Sequence, residues 1–139
     1  MTIFDRWLLG SNPPFATLIG IELVSMEKGS ATVSMEASER HANPMGTLHG
    51  GILCDLADAA MGTAWASELD DGETFTTVEL KINFFRPVWK STITARAKVV
   101  RRGRTLGYVE CDVFDDQERL VARAACSCMT LRGGKGEGR

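Results

Sequence analysis

No stretch of this 139-residue chain approaches the roughly 18 to 20 consecutive apolar residues that a helix needs to cross a bilayer. The N-terminal segment also lacks the basic start and apolar core of a secretory signal. Together these absences predict a cytoplasmic protein. The net charge is only −2, so no general basic field draws in nucleic acid or an anionic membrane, and a polyanionic ligand has to meet a local basic cluster. The four cysteines, Cys54, Cys111, Cys126 and Cys128, form no C-x-x-C pair and have no histidine at zinc spacing, which argues against zinc or thioredoxin-like chemistry. They read as small buried hydrophobes with reduced thiols. There is no internal repeat.

What is present is apolar patterning. With 44% hydrophobic residues, a chain of this size buries roughly two-thirds of its unfolded surface around one core, and one domain is expected over residues 1–139. Phe4, Trp7 and Leu8 fall at helical spacing and predict a short helix at 2–9, followed by a turn at S-N-P-P-F. Ile21 and Leu23, then Ala31, Val33 and Met35, alternate on either side of E-K-G-S and predict a hairpin. Residues 51 to about 69 are rich in Ala and Leu and apolar on nearly every side, the mark of a helix in the middle of the protein. Four period-two runs follow, through Val78 to Phe84, Ile93 to Val99, Val109 to Val113, and residues 120–131. A G-G-K-G-E-G-R tail from 133 has no apolar anchor and is expected to stay mobile.

Hairpin, buried helix, then successive strands make an α+β layout, with one antiparallel sheet wrapped over one helix. One sheet covers only part of a helix that is apolar all round, and a second copy of the chain is the simplest further cover.

The segment H-A-N-P-M-G-T-L-H-G-G-I-L-C-D-L-A-D, from His41 to Asp58, concentrates the chemistry. A helix start leaves N–H groups unpaired and carries partial positive charge, and Gly50 and Gly51 there clear the way for a close ligand such as a developing oxyanion. Asp55 and Asp58 lie three residues apart on neighbouring helical positions. Asp58, deeper in the helix among Leu56, Ala57, Ala59 and Met61, is the stronger candidate, because carboxylates are seldom buried unless paired or functional. Each residue also has a plainer reading. The acids complement the helix dipole, Asn43 before Pro44 is a turn residue, Gly50 and Gly51 open the helix, and His49 caps it. Strand alternation puts Thr77 with Phe75 and Glu79, opposite Val78, Leu80 and Ile82.

The run N-P-M-G-T-L-H-G-G, an Asp fifteen positions after its Asn, and the later T-T-V-E-L-K-I-N-F-F-R-P resemble hotdog-fold acyl-CoA thioesterases of the phenylacetate-pathway type. That group includes human thioesterase superfamily member 2 and bacterial 4-hydroxybenzoyl-CoA thioesterases. The resemblance spans roughly Asn12 to Leu131 and implies a sheet wrapped around a central helix, continuous across a dimer, with dimers commonly paired into tetramers and sites between subunits. By motif position, Asn43 resembles the amide that orients water or thioester, and Gly50 the N–H that polarises the thioester carbonyl. Asp58 resembles the nucleophile or general base and Thr77 the hydroxyl that positions it, both from the partner, with His49 adjoining. Thioester hydrolysis by such a set needs neither metal nor redox cofactor, because thiolate is a good leaving group. The Arg101, Arg102 and Arg104 guanidiniums of R-R-G-R are of the kind that clamp CoA phosphates, or else a solvated basic turn. Leu53, Met61 and Trp65 are candidates to hold an aryl or medium-chain acyl group. Two other functions remain open: an acyl-CoA-binding module without turnover, and a hydratase or dehydratase using His49 with Asp58.

Overall fold

A computed structural model of the chain describes residues 12–133. The helix expected at 2–9 and all but the first residue of the expected tail lie outside them. Where the paired prolines predict a turn, the chain forms helix α1, Pro14–Ile19. Pro14 suits a first helical position because that N–H has no partner in a helix anyway. Gly20, at φ 93°, closes the helix in the left-handed region, its N–H donating to the Ala16 carbonyl.

Strands β1 (Glu22–Glu27) and β2 (Ser30–Ala37) form the expected hairpin. Helix α2 spans Gly50–Ala66, followed by β3 (Thr74–Phe84), β4 (Ser91–Arg102), β5 (Leu106–Phe114) and β6 (Leu120–Leu131). The apolar pattern runs on to residue 69, but α2 ends earlier because its last turn tightens. Glu68 N–H donates to the Trp65 carbonyl and Leu69 N–H to that of Ala66, three residues back.

The six strands form one antiparallel sheet in the order β1-β2-β4-β5-β6-β3. Its register lines up the inward residues. Val33 faces Ala95, Met35 faces Ile93, Cys111 faces Ala124 and Val113 faces Ala122, all of them buried. These pack on Leu56, Ala57, Ala60, Met61 and Ala64 of α2, and alanine on both surfaces lets the helix sit close to the sheet. The result is the hotdog arrangement, a sheet wrapped over one helix.

Strand β3 breaks its own alternation. Thr77 pairs with Cys128 but Glu79 pairs with Ser127, so Val78 is an extra residue in a β-bulge. The bulge puts Thr77 on the same face as Leu80 and Ile82, opposite the buried Cys128, Cys126 and Ala124. Val78 turns outward, 58% exposed. The expectation that Thr77 faces away from Leu80 and Ile82 is therefore corrected, since a strict period of two holds only in an unbulged strand.

Candidate active site

The loop before α2 is held by its own polar side chains. His41 is buried, with Nδ1 accepting from the Ser38 N–H at 3.1 Å and Nε2 donating to the Ile19 carbonyl at 2.8 Å, and its role is structural. Asn43 uses both ends of its amide within the turn. Oδ1 accepts from the Met45 and Thr47 N–H groups at 2.9 and 3.2 Å, and Nδ2 donates to Thr47 Oγ1 at 2.7 Å. This is the turn reading of Asn43, whose amide in this chain shapes the loop. Leu48 N–H donates to the Val88 carbonyl at 2.7 Å, tying the loop to the β3–β4 connection.

His49 is the N-cap of α2, with Nδ1 accepting from the Gly51 N–H at 2.9 Å. That bond occupies the Nδ1 lone pair and leaves the proton on Nε2, so His49 here is a cap and not a poised base. It also takes up the Gly51 amide. Gly50 stands apart because its N–H, at the first turn, has no acceptor within the helix. A Cβ on Gly50 would lie 3.0 Å from the Phe84 ring, so glycine is what lets that ring lie over the helix start. Between them opens a groove of about 380 Å³ lined by Leu48, Leu53, Phe85 and Val88 as well as Gly50 and Phe84. Sequence reasoning gives Phe84, Phe85 and Val88 no role, although an aromatic pair ending a strand just before Arg86-Pro87 is a usable signal.

Two turns further along α2, Asp58 Oδ1 accepts from Thr77 Oγ1 at 3.2 Å. Beneath Thr77 lie Cys128 and Cys126, whose sulfurs are 3.7 Å apart. The Asp58 carboxyl is pushed above its ordinary 3.8 chiefly by the protein packed around it, with the Thr77 hydrogen bond pulling it down. Asp55 is raised too, by burial first and then by the charge of Asp58, with His49 opposing. The Asp58 carboxyl has more protein around it than that of Asp55, as its depth in the helix predicts, although in this single chain the Asp58 residue still reaches solvent while Asp55 is half-buried. One sheet leaves that side of the helix uncovered.

Other expected residues fall elsewhere. Met61 and Trp65 are fully buried in the core and not on a pocket wall. Trp65 Nε1 donates to Thr130 Oγ1 at 3.3 Å, and the Arg102 guanidinium stacks over the indole at 4.6 Å. Arg102 also pairs with Glu68 and Glu73 at 3.7 and 3.8 Å, so it braces the closed end of α2 instead of offering itself to a phosphate. Arg101 and Arg104 are exposed. Fifteen residues separate Gly50 from Trp65, roughly 22 Å of helix, so within one chain the arginine turn and the Gly50 groove lie at opposite ends. Of the expected set, the structure joins Asp58 with Thr77, and Gly50 with Gly51, His49 and Leu53.

Residues 45–122 match the model of the thioesterase superfamily. The chain is 32% identical over 109 residues to the 1,4-dihydroxy-2-naphthoyl-CoA hydrolase of Listeria monocytogenes, covering 78% of this chain and 89% of that one. It is 32% identical over 112 residues to the acyl-coenzyme A thioesterase PaaI of Escherichia coli, covering 80% and 78%. The solved structure of E. coli PaaI, from the phenylacetic acid degradation operon, superposes with a TM-score of 0.84 at 27% identity, over 95% of this chain and 98% of that one.

Proposed function

The chain belongs to the thioesterase superfamily, and from that premise we propose that it hydrolyses acyl-CoA thioesters in a site built from two copies of itself. The observation that carries this reading is the hydrogen bond from Thr77 to Asp58, on the side of α2 that its own sheet leaves open. Gly50 and Asp58 are eight residues apart, roughly 12 Å along the helix, too far for both to meet one thioester carbon. A carbonyl held by the Gly50 N–H of one protomer therefore needs Asp58 of the partner subunit. Strand β3, which carries Thr77, is an edge of the sheet, with backbone groups available to pair with a second β3.

In this scheme the Gly50 N–H, at the positive end of α2, stabilises the oxygen of the tetrahedral intermediate. The Asp58 carboxylate takes a proton from water as the water oxygen bonds to the carbonyl carbon. The C–S bond then breaks, and CoA leaves as the thiolate and takes up a proton. Direct attack by Asp58, giving an anhydride that water opens, uses the same geometry. Thr77 orients the carboxylate, while Asn43 and His49 shape the loop and cap that aim the Gly50 N–H. The chemistry comes from the chain's own groups without a cofactor. An aryl or medium-chain acyl group is the proposed substrate class, supported by the apolar walls at Leu53, Phe84 and Phe85 and by the naphthoyl-CoA relative. The reading is of a cytoplasmic homo-oligomer, a tetramer of two dimers. Among the described residues no helix is long and apolar enough to cross a membrane.

The test is CoA release from a panel of aryl and aliphatic acyl-CoAs, comparing wild type with Asp58→Asn at matched oligomeric mass. A loss of about 100-fold or more in kcat is expected. Unchanged turnover removes Asp58 from the reaction, and binding without turnover by the wild type makes the protein an acyl-CoA-binding module.

A further inference from the structure

Two thiols that the reaction does not use lie directly under Thr77. Cys126 and Cys128 are two positions apart on β6 and so share its inward face, with their sulfurs 3.7 Å apart and hydrogen-bonded. Cys128 is the cross-strand partner of Thr77, which hydrogen-bonds to it as well as to Asp58. Sulfur pair, hydroxyl and carboxyl form one contact chain from β6 through β3 to α2. Because Thr77 has a single hydroxyl hydrogen, whatever moves Cys128 changes how Thr77 meets Asp58.

The two thiols are not equivalent. Cys126 donates to Cys128, and this bond first, helped by the one from Thr77, holds the Cys128 thiol below its ordinary 9.0 against burial and the charge of Asp58. The same bond, together with burial, pushes Cys126 up. A thiolate that attacks beside a thiol that resolves is the arrangement of an oxidisable pair. Cys111, on the neighbouring strand, is pushed up to about 12 chiefly by burial and stays protonated. Both sulfurs of the pair are buried, which keeps out glutathione and other large thiols. A water-sized oxidant can approach past half-buried Thr77, on the open side of α2.

We propose that Cys126 and Cys128 are a peroxide-sensitive dithiol, whose oxidation to a disulfide within β6 controls the contact between Thr77 and Asp58. The effect on turnover rests on the hydrolase reading above, whereas the bond itself does not. The Cys128 thiolate attacks one oxygen of hydrogen peroxide, the O–O bond breaks, and the second oxygen leaves as water, giving a sulfenic acid. The Cys126 sulfur then displaces the sulfenic hydroxyl, which departs as a second water with the Cys126 proton. The sulfur pair gives up two electrons and the peroxide takes two, so no further reactant is needed. Two strand rises separate the Cα atoms by roughly 6.6–6.8 Å, the upper end of what a disulfide spans, so the bond forms under strain and is readily reduced. Closing it draws the sulfurs from 3.7 Å to about 2 Å. That movement pulls Cys128 off Thr77 and bends β6 opposite the bulge in β3.

The test uses the full chain with Cys54→Ser, which removes the half-buried thiol on α2. After treatment with hydrogen peroxide and its removal, free thiols are alkylated in denaturant and the protein is cut with trypsin. Cleavage after Arg123 and Arg132 leaves both cysteines in one peptide, residues 124–132, and Cys111 in another. The 124–132 peptide should lack two hydrogens and carry no alkyl group. CoA release should fall about tenfold, the scale of losing the Thr77 hydrogen bond, and return with dithiothreitol. Oxidation should also enlarge the loss of melting temperature between pH 3 and pH 7, because an Asp58 freed from Thr77 holds its proton to still higher pH. Cys126→Ala in the same background, with an unchanged melting curve, lacks the resolving thiol. It should gain oxygen at Cys128 and fail to recover with dithiothreitol once the sulfinic acid has formed. The proposal is overturned by two alkylated cysteines in the peroxide-treated peptide, by a disulfide from it to Cys111, or by the expected disulfide with turnover and melting unchanged. A disulfide and melting shift in a protein that releases no CoA when reduced would overturn the hydrolase reading and leave the dithiol standing. CoA release that peroxide leaves untouched, with both thiols alkylated, would do the reverse.

Discussion

From Met61 to Trp65 every residue of α2 is buried, whereas between Gly50 and Asp58 only Leu53, Leu56 and Ala57 are. Both halves are rich in alanine, glycine and large apolar residues, and both contain a glycine that touches an aromatic ring. At Gly62 that ring is Phe75, 3.2 Å from where a Cβ would lie, and it helps close the core. At Gly50 it is Phe84, half of which remains in solvent over an open groove. The closed half is finished by Gly107, where a Cβ would collide with the Trp65 ring and the Arg101 carbonyl. The difference shows that composition along a helix marks it as central but does not say which end is packed and which end stays open. What packs against each end decides that.

The sharpest way to break this comparison is to truncate one large side chain at each half. Trp65→Ala should cost about 3–5 kcal/mol, the range for emptying a fully buried aromatic site, and should lower the denaturant midpoint steeply while leaving kcat of the remaining folded protein near wild type. Asp58→Asn should do the opposite, abolishing turnover without loss of stability. The sign follows from linkage. Asp58 keeps its proton to higher pH in the folded chain than in the unfolded one, so the folded state is most favoured below the ordinary 3.8 and loses stability as pH rises through the folded value. A neutral amide at this position escapes that loss, so Asp58→Asn should melt slightly higher than wild type at pH 7 and equally at pH 3. A variant less stable at pH 7 would mean that the carboxylate is a structural partner.

Thr77→Val is a finer cut. It removes the one hydrogen bond that lowers the Asp58 carboxyl, so the acid limb of the pH–kcat profile should move upward and kcat at neutral pH should fall about tenfold or less. An unmoved limb would separate Thr77 from the working carboxylate. The smallest effect is expected at the cap. His49→Ala frees the Gly51 N–H and should cost about 1 kcal/mol of stability, as lost N-caps do, read by chemical denaturation. A kcat loss of 100-fold with little change in stability would instead restore His49 as a base.

Much of the architecture is legible because it follows from local patterning. The hairpin around Gly29, the helix of residues 50–66 and four strands each repeat with the period of their own element. The exceptions have local physical causes. The α1 segment reads as a turn because paired prolines usually break a helix, yet Pro14 can begin one. Alternation assigns Thr77 to the wrong face because a single extra residue, Val78, reverses it without altering composition. In the site, Asp58 and Gly50 are visible as a carboxylate and a helix start, but Met61 and Trp65 pass for pocket walls because an apolar side chain looks the same in a core and in a cleft. Arg102 looks free because the partners that claim it, Trp65, Glu68 and Glu73, lie more than two dozen residues away in sequence.

By itself the sequence determined what depends on neighbours along the chain: the order of elements, the helix start with its glycines, and the carboxylate two turns in. Only the tertiary structure decided what depends on distant segments. It set the bulge that brings Thr77 to Asp58 and the Phe84 ring over Gly50. It also left Asp58 on an uncovered side of α2, roughly 12 Å from Gly50. Sequence periodicity is fixed by backbone geometry within an element, whereas a site is fixed by which elements happen to pack together.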